Sequence, residues 1–459
     1  MTAPVLLWFR RDLRLSDQAA LIAAAGEGPV VPVYILDDET PKHRAMGGAS
    51  RWWLHHSLES LDAALREKGS RLIFRRGAAV AELAKIAEEV GAKRVHALHH
   101  YEPWWRNAEG AVGKALDLIL HDGNYLLPPG TLRTGGGGLY KIYTPFWNAL
   151  REHMPPASSH PAPARLDAPA RWPKSDTLVD WKLLPTKPDW AGGFSEDWTP
   201  GEAAARSRVA DFLDEAAAYA HARNLPSEEG TSRLSPHLHF GEISPAYVWH
   251  RIVKAKGDAT TFLKEIAWRD YAQNLICQFP FYGKENGRAA FDKMPWRDLR
   301  EAKGDFAAWK QGRTGYPIVD AGMRQLWATG WMHNRVRMIA ASFLIKHLLI
   351  DWRHGEQWFW DTLVDADYGN NATNWQWTAG SGVDANMFPR IMAPLTQSPK
   401  FDAGDYIRRW VPDLADIAGD AIHDPESHGC RPRAYPPPLI GHREARNRAL
   451  AAFARTKVD

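Results

Sequence analysis

Asn334, Arg337 and Met338 recur at i, i+3 and i+4, so a helix through them aims an amide, a guanidinium and a thioether to one side. Such a face suits a planar, polar ligand. Downstream, Asp365, Asp367 and Asn371 stand close together beside a Gly/Asn-rich loop. A buried guanidinium demands a carboxylate, which makes Arg337 with Asp365 an expected pair; structural pairing between helices accounts for the same residues.

Glu265, Trp268 and Arg269 repeat the spacing and place an acid, an indole and a guanidinium on one helical face. A base turned out of a duplex needs a stacking ring and a polar handle, which Trp268 and Glu265 would supply. A surface ion pair beside a buried tryptophan is the plainer reading. In EGTSRLSP, Thr231, Ser232 and Ser235 surround Arg233 and Leu234 just ahead of a helical pattern. Hydroxyls and backbone N–H groups at a helix start are what a diphosphate needs, and ordinary N-capping uses the same residues. His237 and His239 lie two apart with no cysteine beside them, and no H-E-x-x-H occurs, so the histidines do not suggest a metal.

These side chains need a scaffold, and the chain divides into three stretches. Val5 to Phe9, Val30 to Leu36, Arg71 to Phe74 and Arg94 to Leu98 are short apolar runs, with helix-period segments such as Ser50 to Lys68 and Ala78 to Val90 between them. That alternation predicts an α/β domain with a parallel, Rossmann-like sheet over residues 1–130. No G-x-G-x-x-G follows the first run; WFRRDLRLSD stands there, which argues against a nicotinamide dehydrogenase. The four glycines Gly135 to Gly138 lack a following G-K-[ST] and are read as loop. Residues 131–199, dense in Pro, Ser and Asp towards their end, read as a connector between domains. Helical periodicity then dominates residues 200–459, as in Glu202 to Arg223, Asp258 to Cys277, Tyr316 to Thr329 and Arg335 to Leu349.

Composition narrows the classes. The 57 Lys+Arg nearly balance 54 Asp+Glu, so a nucleic-acid partner must be met by a local basic patch. Two cysteines are too few for a disulfide framework and suit a reducing cytoplasm. No apolar run reaches membrane-spanning length and no signal peptide is apparent. The 22 tryptophans suit an aromatic core, a flavin pocket, an electron-transfer chain or a base-stacking surface alike.

In order along the chain, WFRRDLRLSD (Trp8 to Asp17), EGTSRLSPHLHFGEISP (Glu229 to Pro245), the Trp268-Arg269 helix, GYPIVDAGMRQLWATGWMHNRVRM (Gly315 to Met338) and NWQW (Asn374 to Trp377) resemble the photolyase/cryptochrome flavoprotein family. The resemblance covers nearly the whole chain and lies nearest the bacterial, class I-like cyclobutane pyrimidine dimer photolyases. It implies an antenna-type α/β domain joined by a long linker to an all-α domain holding FAD. By match to the motifs, Tyr219 and the run Thr231, Ser232, Arg233, Leu234, Ser235 would hold the diphosphate side. Trp268, Arg269, Asn334, Arg337, Asp365 and Asp367 would surround the rest, and Asn371 would face the flavin ring nitrogen that gains or loses a proton. Asparagine there suits a fully reduced flavin, where plant signalling cryptochromes carry aspartate.

The implied reaction is electron donation from excited reduced FAD to a dimer in DNA, ring splitting and electron return. Glu265, Trp268, Met338 and Asn334 are the implied catalytic set, and Arg335, Trp377 and Arg390 further DNA contacts. Six-four photolyases would show paired histidines where His333-Asn334 stand. Trp375, Trp352 and Trp296 match the family's electron-transfer triad. Trp104-Trp105 replaces the Asn-Glu pair of folate-binding relatives, leaving methenyltetrahydrofolate, 8-hydroxy-5-deazaflavin or no antenna chromophore. The segment Met387 to Asp402 departs from the commoner family wording, although Arg390 keeps its place. The partner expected is dimer-containing DNA, with no membrane and a monomeric protein; a cryptochrome-like photoreceptor with the same flavin site is the rival reading.

Overall fold

Five strands, β1 (Val5–Phe9), β2 (Val30–Leu36), β3 (Ile73–Arg76), β4 (Arg94–Leu98) and β5 (Asp117–His121), pair in parallel in the order β3-β2-β1-β4-β5. This is a computed structural model describing residues 2–40, 44–385 and 388–456; of the Met387 to Asp402 segment, Met387 lies outside these. Parallel neighbours need crossover helices, and Ala19–Glu27, Gly48–Glu67, Ala79–Val90 and Pro103–Ala115 supply them. Helices on the faces leave β1 and β2 buried throughout, which is why both read as unbroken apolar runs. Their core joins Leu6, Trp8, Val31, Val33, Ile35 and Val95 to Leu83, Ile86 and Val112 of the helices. The strand β5 was not anticipated. It is an edge strand whose DLILH is largely half-buried or exposed, and its apolar run is confined to Leu118 to Leu120.

In a doubly wound sheet the crevice where strand order reverses, here between β1 and β4, often takes a ligand. Here WFRRDLRLSD fills it. Arg10 pairs with Glu109 at 2.6 Å and donates to the carbonyl of Leu98, the last residue of β4. Arg11 pairs with Glu102 at 2.9 Å, and Arg14 reaches the Asn124 side chain and the Gly241 carbonyl, each at 2.9 Å. Gly241 has φ +64°, and an added Cβ would run into the carbonyl of Arg11, so only glycine serves there.

The chain forms two compact units. The first comprises Met1–Ala217, Ser232–Pro280 and Val364–Asp367; the second comprises Ala218–Thr231, Phe281–Leu363 and Tyr368–Asp459. In the first, the connector lines the sheet: Asp176 donates to the Phe74 carbonyl of β3 at 2.8 Å, and Asp167 accepts from Val30 at 3.0 Å. The connector also contains a helix, Tyr143–Arg151. The helical stretch expected from Glu202 to Arg223 is broken into Glu202–Phe212 and Tyr219–Ala222. Alanines 216 to 218 offer little surface to bury, and most helical stability comes from such burial. In the second unit, Asn334–Ser342 runs into a π-helical turn, Phe343–His347, a form that recurs near functional sites.

Candidate functional site

Within the first unit, the helix Thr260–Gln278 presents Glu265, Trp268 and Arg269 on one side. Glu265 and Trp268 are half-buried. The Trp268 ring lies flat against Tyr143, with centroids 3.7 Å apart and planes at 6°, and meets Tyr271 edge-on at 5.3 Å. Arg269 donates to the carbonyls of Asn124 and Leu238, the latter at 3.0 Å, and its guanidinium sits 4.6 Å over Tyr125. Next to it, Asp270 accepts from the N–H groups of Leu126 and Leu127 at 2.7 and 3.2 Å.

Burial raises the Asp270 carboxyl from 3.8 to about 7, against the pull of Arg269 and the two N–H groups. The folded state therefore binds this proton more tightly than the unfolded chain between about pH 4 and 7. Stability should fall as pH rises through that window and level off above it. Asp270→Asn keeps an oxygen for both N–H groups and is expected to flatten the slope. Urea titrations across that range check this; an undiminished slope in the variant would remove Asp270 as its source.

The same unit holds the acidic pair. Ser235 donates to Asp365 at 2.6 Å, and Asp367 donates its backbone N–H to the Asp365 carbonyl at 2.7 Å. Asp367 is buried, with His239 Nδ1 at 3.8 Å. Burial and the charge of Arg11 lower His239 to about 4, so it is neutral at neutral pH and is a polar neighbour rather than an ion-pair partner. Burial also raises Glu102, against the pull of Arg11. In the proposed diphosphate stretch, Ser232 Oγ accepts from Leu234 N–H at 3.4 Å. Arg233 adopts φ +50°, an uncommon conformation for a side-chain-bearing residue, and pairs with Asp197 at 3.6 Å.

In the second unit, Tyr219 is buried beneath the Arg223 guanidinium, and Thr231 is half-buried. His333 caps the helix Asn334–Ser342 by accepting from Arg335 N–H at 3.3 Å. Asn334 is exposed and Met338 half-buried. Arg337 donates to the Met332 carbonyl at 2.7 Å; Arg335 donates to Asn224 at 2.7 Å and approaches Met338 Sδ at 3.7 Å. Arg390 is exposed, and its carbonyl accepts from buried Lys346 at 2.9 Å. Burial, then the Arg390 charge, lower Lys346 to about 7.

The helix Tyr368–Ala379 carries Asn371, Trp375 and half-buried Trp377. The Asn371 amide nitrogen donates to both the backbone carbonyl and the carboxylate of Glu356, at 3.0 and 2.9 Å. Both amide hydrogens are thereby engaged, and the carbonyl oxygen is the group turned away from Glu356. Trp375 is 2% exposed and meets Phe359 edge-on at 5.0 Å and Trp309 at 6.4 Å. Trp352 is fully buried and donates to Asn286 at 3.0 Å; Trp296 is half-buried. Glu356, Phe359, Trp309 and Tyr143 are neighbours of these residues that no sequence motif marks. Glu356 announces itself only by following Gly355, whose added Cβ would collide with the Trp375 ring.

Buried Trp104 precedes Trp105, which packs edge-on to Trp8 at 6.5 Å beneath the Arg10 guanidinium. The indole there closes on the sheet core. Among the described residues no helix is long and apolar enough to cross a membrane.

Residues 5–167 match the family model described as DNA photolyase, and residues 262–455 the one described as FAD binding domain of DNA photolyase. A deoxyribodipyrimidine photo-lyase of Agrobacterium fabrum is 49% identical over 99% of this chain and 98% of its own. Cryptochrome-1 of Arabidopsis thaliana is 33% identical over 98% of this chain and 70% of its own. A bacterial class III photolyase from Agrobacterium tumefaciens superposes with a TM-score of 0.94 at 48% identity, covering 100% of this chain and 98% of that one.

Proposed function

Because the chain belongs to the photolyase/cryptochrome family, we propose that it is a light-driven DNA-repair enzyme, a deoxyribodipyrimidine photo-lyase that uses FAD to split cyclobutane pyrimidine dimers. The observation that carries this reading is the orientation of Asn371. With its amide hydrogens on Glu356, its carbonyl oxygen is left to accept from the ring nitrogen that is protonated in a reduced flavin and bare in an oxidised one. When bound, FAD supplies the light-excited electron that opens the dimer and receives it back.

The remaining work falls to this chain's side chains. Tyr219, Thr231, Ser232, Arg233, Leu234 and Ser235 would hold the diphosphate, and Trp268, Arg269, Asn334, Arg337, Asp365 and Asp367 the rest of the cofactor. Glu265 would hydrogen-bond the dimer, Trp268 stack on it and Met338 pack beside it, so that the cost of extruding the lesion is offset. Arg335, Trp377 and Arg390 would bind flanking DNA, and contacts to phosphate make that affinity salt-dependent. Trp375, Trp352 and Trp296 would pass electrons inward when the cofactor needs reducing. Residues 1–130 form the antenna domain, residues 131–199 the linker and residues 200–459 the FAD domain in this reading. The chromophore is a methenyl-folate or a deazaflavin if one is bound. The working protein is a cytoplasmic monomer.

The test is a blue-light assay on oligonucleotides carrying a cyclobutane dimer, with six-four lesions and darkness in parallel. Restoration confined to the illuminated cyclobutane arm supports the assignment; restoration of six-four lesions instead would move the chain to another subclass.

A further inference from the structure

Trp268 has two faces, and Tyr143 lies on one of them at a centroid distance of 3.7 Å with the planes within 6°. Aromatic pairs left to themselves prefer offset or edge-on arrangements, so a close cofacial pair is imposed by its scaffold. That scaffold is visible. Tyr143 opens the helix Tyr143–Arg151, and its O–H donates to the Lys264 carbonyl at 2.6 Å, one residue before Glu265. The chain just ahead is fastened to the same helix: Tyr271 O–H donates to Lys141 O at 2.7 Å, and the amides of Asn274 and Gln278 both donate to Tyr140 O at 2.9 Å. Further upstream, Asp270 takes the N–H groups of Leu126 and Leu127. Side chains along one helix thus grip the connector and set the Tyr143 ring against Trp268.

We propose that Tyr143 is a positioning residue for lesion recognition: it closes one face of Trp268 and fixes the ring plane, so that an extruded dimer stacks on the other face. This rests on the reading of Trp268 as the stacking platform. An indole free to turn would lose rotamer entropy each time a lesion bound; holding it flat against Tyr143 removes that loss in advance. The tyrosine hydroxyl is one tie among several, since the Lys141 and Tyr140 carbonyls fasten the same stretch to the helix without it.

The experiment measures equilibrium binding of the holoprotein, in darkness, to matched oligonucleotides with and without one cyclobutane dimer. Tyr143→Leu is expected to weaken dimer binding by about 2- to 10-fold, the range a lost aromatic stack covers, while undamaged-DNA affinity and flavin content stay at parental values. Tyr143→Phe keeps the stack and should bind the dimer within about twofold of the parent. The proposal is overturned if Tyr143→Leu binds the dimer as the parent does. It is equally overturned if Tyr143→Phe loses as much as Tyr143→Leu, or if both DNA affinities fall together with flavin content. Trp268→Ala on the parental background separates the premise: unchanged dimer affinity in that variant removes the platform itself, whatever Tyr143 does.

Discussion

Asn371→Asp is expected to lower light-driven repair by about a hundredfold, the effect of losing some 3 kcal/mol at a buried polar contact. In the parent, both amide hydrogens go to Glu356, which is fully buried, and Asn371 is nearly so. An aspartate would bring a second carboxylate to within hydrogen-bond distance of the first. Two such groups in a site of low dielectric do not both ionise, so the pair would share one proton. Whichever way that proton lies, the neutral carbonyl turned away from Glu356 is replaced by a carboxyl of uncertain charge, and the preference for a reduced flavin goes with it. Glu356→Gln tests the partner, since its carbonyl oxygen can accept the same amide hydrogen; it should cost no more than about tenfold. Repair rates under steady light, with the absorption spectrum of the bound flavin followed in parallel, decide the matter. Parental repair by Asn371→Asp would remove Asn371 from the cofactor's surroundings.

Trp375→Phe should separate two activities that share one cofactor. The Trp375 ring is buried against Phe359 and Trp309, with Gly355 leaving room for its far edge. Phenylalanine fills much of that volume but surrenders an electron far less readily than indole. Photoreduction of oxidised protein is expected to slow by at least about tenfold, while repair by chemically pre-reduced protein stays within about twofold. The smaller ring also leaves a void, so a loss of about 1–3 kcal/mol in stability is expected, and rates should be compared on folded holoprotein. Equal loss of both activities would return Trp375 to a packing role.

What was legible in the sequence follows from burial. Strands β1, β2 and β4 show as apolar runs because a parallel sheet covered on both faces tolerates little else. Strand β5 lies at the edge, where its apolar run is only Leu118 to Leu120, flanked by Asp117 and His121 and only partly covered. Asn334, Arg337 and Met338, like Glu265, Trp268 and Arg269, could be grouped because helical spacing is a local property. Glu356 could not: its partner Asn371 lies 15 residues away on another helix, and nothing local distinguishes a glutamate that faces inward. Tyr143 was hidden for a different reason. It follows a glycine-rich stretch that reads as loop, and its importance appears only when the connector is seen bound along the helix that carries Trp268.

The most direct measurement is the fraction of cyclobutane dimers restored to monomers when pre-reduced holoprotein and a dimer-bearing oligonucleotide are illuminated, counted against an identical sample in the dark. Restoration in the light alone, lost in Glu265→Ala and Trp268→Ala, is the predicted result. Dimers left intact in the illuminated sample, with FAD bound and reduced, would contradict the assignment and leave the chain as a flavoprotein photoreceptor.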